Sequence, residues 1–116
     1  MKFWIYSEKE LADLQSGFEK IFEVDNLYHD YENVWEWIES IDKKASYYLN
    51  IRRPHNWEHG VYDKPIIIKV ETNDGTDIDE IKIALKIKSE FRCDVFAGEI
   101  FADSDDNPII KEERKY

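Results

Sequence analysis

Apolar residues recur along the chain with two different periods, and these periods predict an α+β fold. Between residues 8 and 23 they return every three or four positions, which is typical of an amphipathic helix. Ser7 followed by Glu10 fits a capping box, so we expect the helix to begin just after Ser7. A second helix with the same period follows Asp77, with Glu80 as the other half of its capping box.

Runs of β-branched and aromatic residues predict strands elsewhere, at residues 3–6, 47–53, 66–71 and 94–101. The segment 34–39 fits both periods, because it has one apolar helical face and also alternates Trp35 and Trp37 around Glu36. We favour a strand that pairs with residues 47–53. Gly98, inside the last run, predicts a β-bulge.

The order of these elements predicts the layers of the fold. It runs strand, helix, two or three strands, helix, strand, with loops expected at residues 25–33 and 55–64. An acidic turn follows at residues 103–108, and then a short apolar pair and a charged tail. Two helices of this length can cover one face of a small sheet. We therefore expect a two-layer sandwich, with two helices on one face of an antiparallel or mixed sheet of four to five strands, forming a single domain over residues 1–116.

Composition favours a binding protein over an enzyme. The net charge is −10, a field that repels nucleic acid and anionic lipid and speeds encounter with basic partners. Aromatic residues make up 15% of the chain, so some rings are expected at the surface, where Trp and Tyr often anchor protein interfaces. A lone cysteine and the lack of a signal-peptide or membrane-spanning stretch predict a cytoplasmic protein, with no membrane or nucleic acid partner.

Carboxylates and indole rings occur together in several segments, which predicts contacts with a basic protein partner. The candidate partner-binding residues are Trp35, Glu36, Trp37, Glu39, Trp57, Asp103, Asp105 and Asp106. The alternative is core packing for the indoles and a solvated turn for the three aspartates. A helix-loop-helix calcium loop starting at Asp103 is excluded, because Pro108 stands where that loop needs Gly and Arg114 where it needs Glu.

The densest group of recognition-type residues consists of Arg52, Arg53, His55, Asn56 and Trp57. Guanidinium, imidazole and indole groups beside a strand end could grip a carboxylate, a phosphate or a partner surface. The alternative is an internal role, in which an arginine on the strand ties down acidic loops.

His55, Glu58 and His59 match an inverted zinc-protease signature, in which two histidines one helical turn apart hold the metal. Pro54 and Gly60 flank the match directly and leave too short a helix for it. Cys93 beside Asp94 lies in a setting that raises a thiol pKa, which disfavours nucleophilic catalysis. We expect no catalytic residue, metal or cofactor, and a small metal-dependent enzyme or metal-binding protein remains the alternative function.

Three segments of the middle of the chain, residues 31–39, 49–57 and 62–66, resemble the immunity proteins of bacterial contact-dependent inhibition and polymorphic toxin systems. The resemblance implies a non-enzymatic cytosolic inhibitor that covers the active site of a cognate toxin domain, often a nuclease. It transfers no functional residue, because these inhibitors use different surfaces for different toxins. A homodimer built on the same aromatic surface is a further possibility that the sequence leaves open.

Overall fold

The residues that the structure describes form two helices and seven strands, which confirms the α+β class. The computed structural model describes residues 1–32, 35–41, 44–54, 64–102 and 108–116, without the side chain of Ala102. In chain order the elements are β1 (Lys2–Ile5), α1 (Leu11–Phe22), β2 (Tyr28–Glu32), β3 (Trp35–Glu39), β4 (Tyr47–Pro54), β5 (Ile66–Thr72), α2 (Glu80–Phe91), β6 (Phe96–Ala102) and β7 (Pro108–Lys115).

All seven strands join one antiparallel sheet in the order β2-β3-β4-β5-β1-β6-β7. The predicted pairing of residues 34–39 with 47–53 is confirmed, since Ile38 lies opposite Ile51. The expected count of four to five strands was wrong, because the sequence predicts a loop where β2 lies and a charged tail where β7 lies. Both are almost wholly exposed, so neither carries the alternation of apolar and polar residues that identifies a half-buried strand.

Both helices pack on the same face of the sheet. Alternate residues of the central strands point to this face, with Phe3 opposite Ile68 and Ile68 in turn opposite Ile51. These side chains share one buried cluster with the apolar faces of α1 and α2, including Phe18 and Ile87. The side chains in between point to the opposite face, called here the helix-free face.

Each helix begins at a different residue from the one its capping box predicts. The N-cap of α1 is Glu10, whose side chain makes no capping bond, while the Ser7 hydroxyl accepts from the Lys9 amide at 3.1 Å. At α2 the cap is Asp79, which accepts from the Lys82 amide at 3.1 Å. Among the described residues, no helix is long and apolar enough to cross a membrane.

The β-bulge predicted at Gly98 is present. The pairing of β6 with β7 shifts by one residue between Ala97 and Glu99, and the extra residue lies on β7. Gly98 has a φ of 144°, and a Cβ built there would lie 2.6 Å from the Glu112 carbonyl oxygen. Only glycine therefore allows β7 to approach this closely. Beyond the bulge, Lys2 Nζ donates to the Ile100 carbonyl at 3.1 Å. This bond holds the Lys2 side chain of β1 against the end of β6.

Candidate functional site

Arg52 and Arg53 are neighbours on β4 but point to opposite faces of the sheet. Arg53 is fully buried beneath the helices, where Nη1 donates to the Ser7 carbonyl at 3.4 Å. Its guanidinium also lies 3.9 Å from carboxylate oxygens of Glu10 and of Glu36. The bracing interpretation therefore holds for Arg53, which is not available to a partner. Arg52 is exposed on the helix-free face.

Glu36 also lies on the helix side and is only 5% exposed. Its Oε2 lies 2.9 Å from His29 Nε2 on β2, and its Oε1 faces Arg53. Glu36 is consequently part of an internal ionic group that ties β2, β3 and β4 together. It does not belong to the exposed surface on which the sequence placed it.

The other residues predicted on β3 do lie on the helix-free face. Trp35, Trp37 and Glu39 pair with β2 residues that point the same way, and together they form what we call the acidic–aromatic surface: Tyr28, Asp30, Glu32, Trp35, Trp37 and Glu39. Tyr28 is 51% exposed, and Tyr31, on the other side of β2, is 59% exposed. This surface occupies one edge of the sheet and contains three carboxylates.

Glu39 has a fixed position within that surface. Its Oε2 accepts hydrogen bonds from the Tyr48 hydroxyl at 2.6 Å and from the Asn50 amide at 3.3 Å. The bond to Glu39, followed by burial, raises the pKa of Tyr48, so the tyrosine stays a neutral donor. Glu39 thus has a defined place beside the half-buried indoles of Trp35 and Trp37.

A cleft of about 340 Å³ opens next to the acidic–aromatic surface, on the same face of the sheet. We call it the cationic cleft, and it is lined by Lys2, Trp35, Asn50, Arg52, Ile67, Lys69, Ile100 and Phe101. Adjacent strands bring its charged groups together, because Arg52 lies opposite Ile67 on β5 and Lys2 of β1 lies opposite Lys69. Three cationic side chains therefore meet in one place on a protein of net charge −10.

Hydrogen bonds and ring contacts hold two of these cations in position. Arg52 Nε donates to Asn50 Oδ1 at 2.8 Å, and the guanidinium carbon lies 5.9 Å from the centre of a Trp35 ring. Lys2 Nζ lies 4.8 Å from the centre of the Phe101 ring. Lys69 pairs with the exposed Glu71 at 3.4 Å, a surface contact that contributes little to stability. Arg52 itself lines the cleft.

The surroundings of Cys93 and the spacing of the described acidic residues bear on nucleophilic catalysis and on metal binding. Burial, and then the charge of Asp94, raises the pKa of the Cys93 thiol, as expected from its neighbours. Among the described residues, no group of three or more histidine, cysteine or acidic side chains could hold a metal ion. The remaining candidates lie outside the described residues; these are His55, Asn56, Trp57, Glu58, His59, Asp103, Asp105 and Asp106.

A separate polar cluster joins β7 to α2. Arg114 donates to both carboxylate oxygens of Glu80, from Nε at 2.8 Å and from Nη2 at 2.6 Å, and the Tyr116 hydroxyl also donates to Glu80. The bond from Arg114 is the main reason that the pKa of Glu80 lies below its ordinary value. The cluster attaches the C-terminal strand to a helix. None of its three residues lines the cationic cleft.

Several residues of the acidic–aromatic surface and of the cationic cleft were not predicted from the sequence. Tyr28, Asp30 and Glu32 fell in a predicted loop, and no periodic signal marks them. Lys69 could have been placed beside Arg52 from the alternation of two predicted strands that follow each other. Lys2 could not, because nothing in the sequence predicts that β1 lies beside β5.

Comparisons of the chain with protein-family models, with curated proteins and with solved structures find no match. Function is therefore inferred from the geometry and charge of the described residues.

Proposed function

We propose that this chain is a non-enzymatic, cytoplasmic, immunity-type protein that binds and neutralises a basic, nuclease-like toxin domain. The observation that supports the proposal is the acidic–aromatic surface. It combines exposed and half-buried rings with three carboxylates at an edge of the sheet, on the face opposite the two described helices. Rings supply buried contact area in such interfaces, and carboxylates supply register and electrostatic steering.

The edge strand β2 favours a basic partner over a second copy of the chain. If two copies joined edge to edge through β2, the like charges of Asp30 and Glu32 would be brought together across the junction, which is destabilising. A toxin surface that normally binds nucleic acid presents lysine and arginine instead. It would be attracted by the same carboxylates and by the overall charge of −10.

The proposal is tested with the toxin domain whose gene neighbours that of this chain. Binding is measured by surface plasmon resonance for the unaltered protein and for the double variant Asp30→Lys/Glu32→Lys. We expect stoichiometric binding whose association rate falls as salt is added, and about tenfold slower association for the variant. In cells, the variant should lose protection against the toxin.

The matched control is Asp77→Lys/Glu113→Lys, which changes the net charge by the same amount at exposed residues outside the acidic–aromatic surface. We expect it to bind almost as fast as the unaltered protein. Charged residues on an edge strand can also serve only to prevent strand pairing with other chains. Equal binding by both double variants would show that Asp30 and Glu32 have that role alone, and absence of binding at low salt would refute the proposal as a whole.

A further inference from the structure

We propose that the cationic cleft is a binding site for a small anion that carries a planar ring, with a nucleoside monophosphate as the representative ligand. The site adjoins the proposed toxin-binding surface and shares Trp35 with it, but its sign of charge is opposite. It does not depend on the toxin partner, because its ligand would bind the free protein.

Charge selects the anionic part of the ligand. Lys2, Arg52 and Lys69 lie on three adjacent strands and line a single cleft. Three cations match the double charge of a phosphate monoester better than the single charge of a carboxylate. Because Asn50 holds Arg52 Nε at 2.8 Å, the guanidinium has a set orientation and can present its terminal nitrogens to phosphate oxygens as a fork.

Ring contacts select the rest of the ligand. Trp35 and Phe101 line the cleft, and Ile67 and Ile100 supply its apolar part. Phe101 is 48% exposed, so part of its surface is open to solvent. Aromatic side chains stack on any nucleobase without requiring a particular sequence, since every base presents a flat π-face. The cleft is therefore expected to bind nucleotides with little preference among their bases.

Size and overall charge limit the ligand to a single nucleotide. A volume of about 340 Å³ lies at the small end of the range for ligand pockets, which is roughly 300–1,000 Å³. The three acidic groups of the neighbouring acidic–aromatic surface and the net charge of −10 would repel the further phosphates of a nucleic acid strand. One phosphate can be neutralised inside the cleft, whereas additional ones would lie over carboxylates.

The inference is tested by isothermal titration calorimetry on the toxin-free, full-length protein at low ionic strength. The probes are adenosine monophosphate, uridine monophosphate, inorganic phosphate, adenosine and a short single-stranded oligonucleotide. We expect saturable binding of both monophosphates with similar affinity, and much weaker binding of inorganic phosphate and of adenosine. Arg52→Gln should weaken monophosphate binding about tenfold or more, because it removes a charge-assisted hydrogen bond.

Two further variants separate the contributions of charge and ring. Lys86→Gln, at an exposed residue of α2, removes the same charge away from the cleft and should leave the affinity unchanged. Phe101→Ala should weaken binding of the monophosphates while leaving that of inorganic phosphate as it was. Thermal unfolding of each variant checks that it folds.

Four results would overturn the inference. They are no saturable binding of either monophosphate, equal loss in Arg52→Gln and Lys86→Gln, inorganic phosphate or adenosine binding as tightly as the monophosphates, and tighter binding of the oligonucleotide than of the mononucleotides. The last result would assign the cleft to nucleic acid instead.

Discussion

Replacing Arg53 by methionine should be among the most destabilising single changes in the described part of this protein. Methionine keeps the aliphatic packing, but it is shorter by the guanidinium group and so removes the positive charge. The change leaves Glu36 at 5% exposure without the cation that lies 3.9 Å from its Oε1. The perturbation is therefore mainly electrostatic.

The expected magnitude follows from the separation of the charges. Two unit charges 3.9 Å apart interact by about 4 kcal/mol at an effective dielectric constant of about 20. Removing one partner of a buried ion pair typically costs about 3–5 kcal/mol. The contact of Glu36 Oε2 with His29 Nε2 at 2.9 Å remains, so the lower part of that range applies. We expect a loss of about 3–4 kcal/mol, which is a large part of the stability of a domain of this size, about 5–15 kcal/mol.

Urea unfolding followed by tryptophan fluorescence measures this loss. With a slope of about 1.5–2 kcal/mol per molar, the midpoint should fall by about 2 M. The matched control is Arg52→Met, the same substitution one residue earlier on β4, where the side chain is exposed. That control should change stability by only about 0.5 kcal/mol, as is usual for surface substitutions.

A double variant identifies the cause of the loss. In Arg53→Met/Glu36→Gln a neutral amide replaces the buried carboxylate. The double variant should therefore be more stable than Arg53→Met alone and recover about half of the lost free energy of unfolding. If Glu36→Gln makes Arg53→Met still less stable, the uncompensated charge is not what destabilises the single variant. Equal effects of Arg52→Met and Arg53→Met would refute the assignment of the two arginines to opposite faces.

Two other predictions concern the bulge and the C-terminal strand. Gly98→Ala should lower the free energy of unfolding by about 3 kcal/mol or more, because a strained φ adds to a contact with a β7 carbonyl. The control Gly75→Ala, with a φ of 77° and open space around it, should lower it by only about 1 kcal/mol. Equal losses in urea unfolding would contradict the close approach of β7 to Gly98. The pKa of Glu80 is lowered in the folded state by Arg114, so its stabilising contribution is present above its ordinary pKa of 4.5 and is lost as the pH falls through the folded value. Glu80→Gln should therefore be less stable than the unaltered protein at neutral pH but not in strong acid. The exposed control Glu8→Gln should not show this profile. If it does, or if the stability difference for Glu80→Gln does not depend on pH, the pairing of Glu80 with Arg114 is not the cause.

Apolar patterning was sufficient to predict most of the framework. The helices follow from a period of three to four residues, and β1, β4, β5 and β6 from runs of β-branched and aromatic residues, whereas the pattern of β3 fitted a helix as well. The ends of the helices were less predictable. A capping box shows that two side chains could exchange bonds with the backbone, but the start of α1 shifted to Glu10 while Ser7 bonds Lys9 and Arg53 instead.

Only tertiary structure decided which residues form the two surfaces. Asp30 and Glu32 lie on a strand that exists because β3 supplies its hydrogen bonds, and such a strand can be polar on both faces. Arg52 and Arg53 carry the same chemistry in adjacent positions, and only the direction of the strand relative to the helices separates a cleft residue from an internal brace. Lys2 and Lys69 are far apart along the chain and meet because β1 inserts between β5 and β6. Composition therefore determined how much charge and how many rings the chain carries, whereas the order of strands in the sheet determined where they come together.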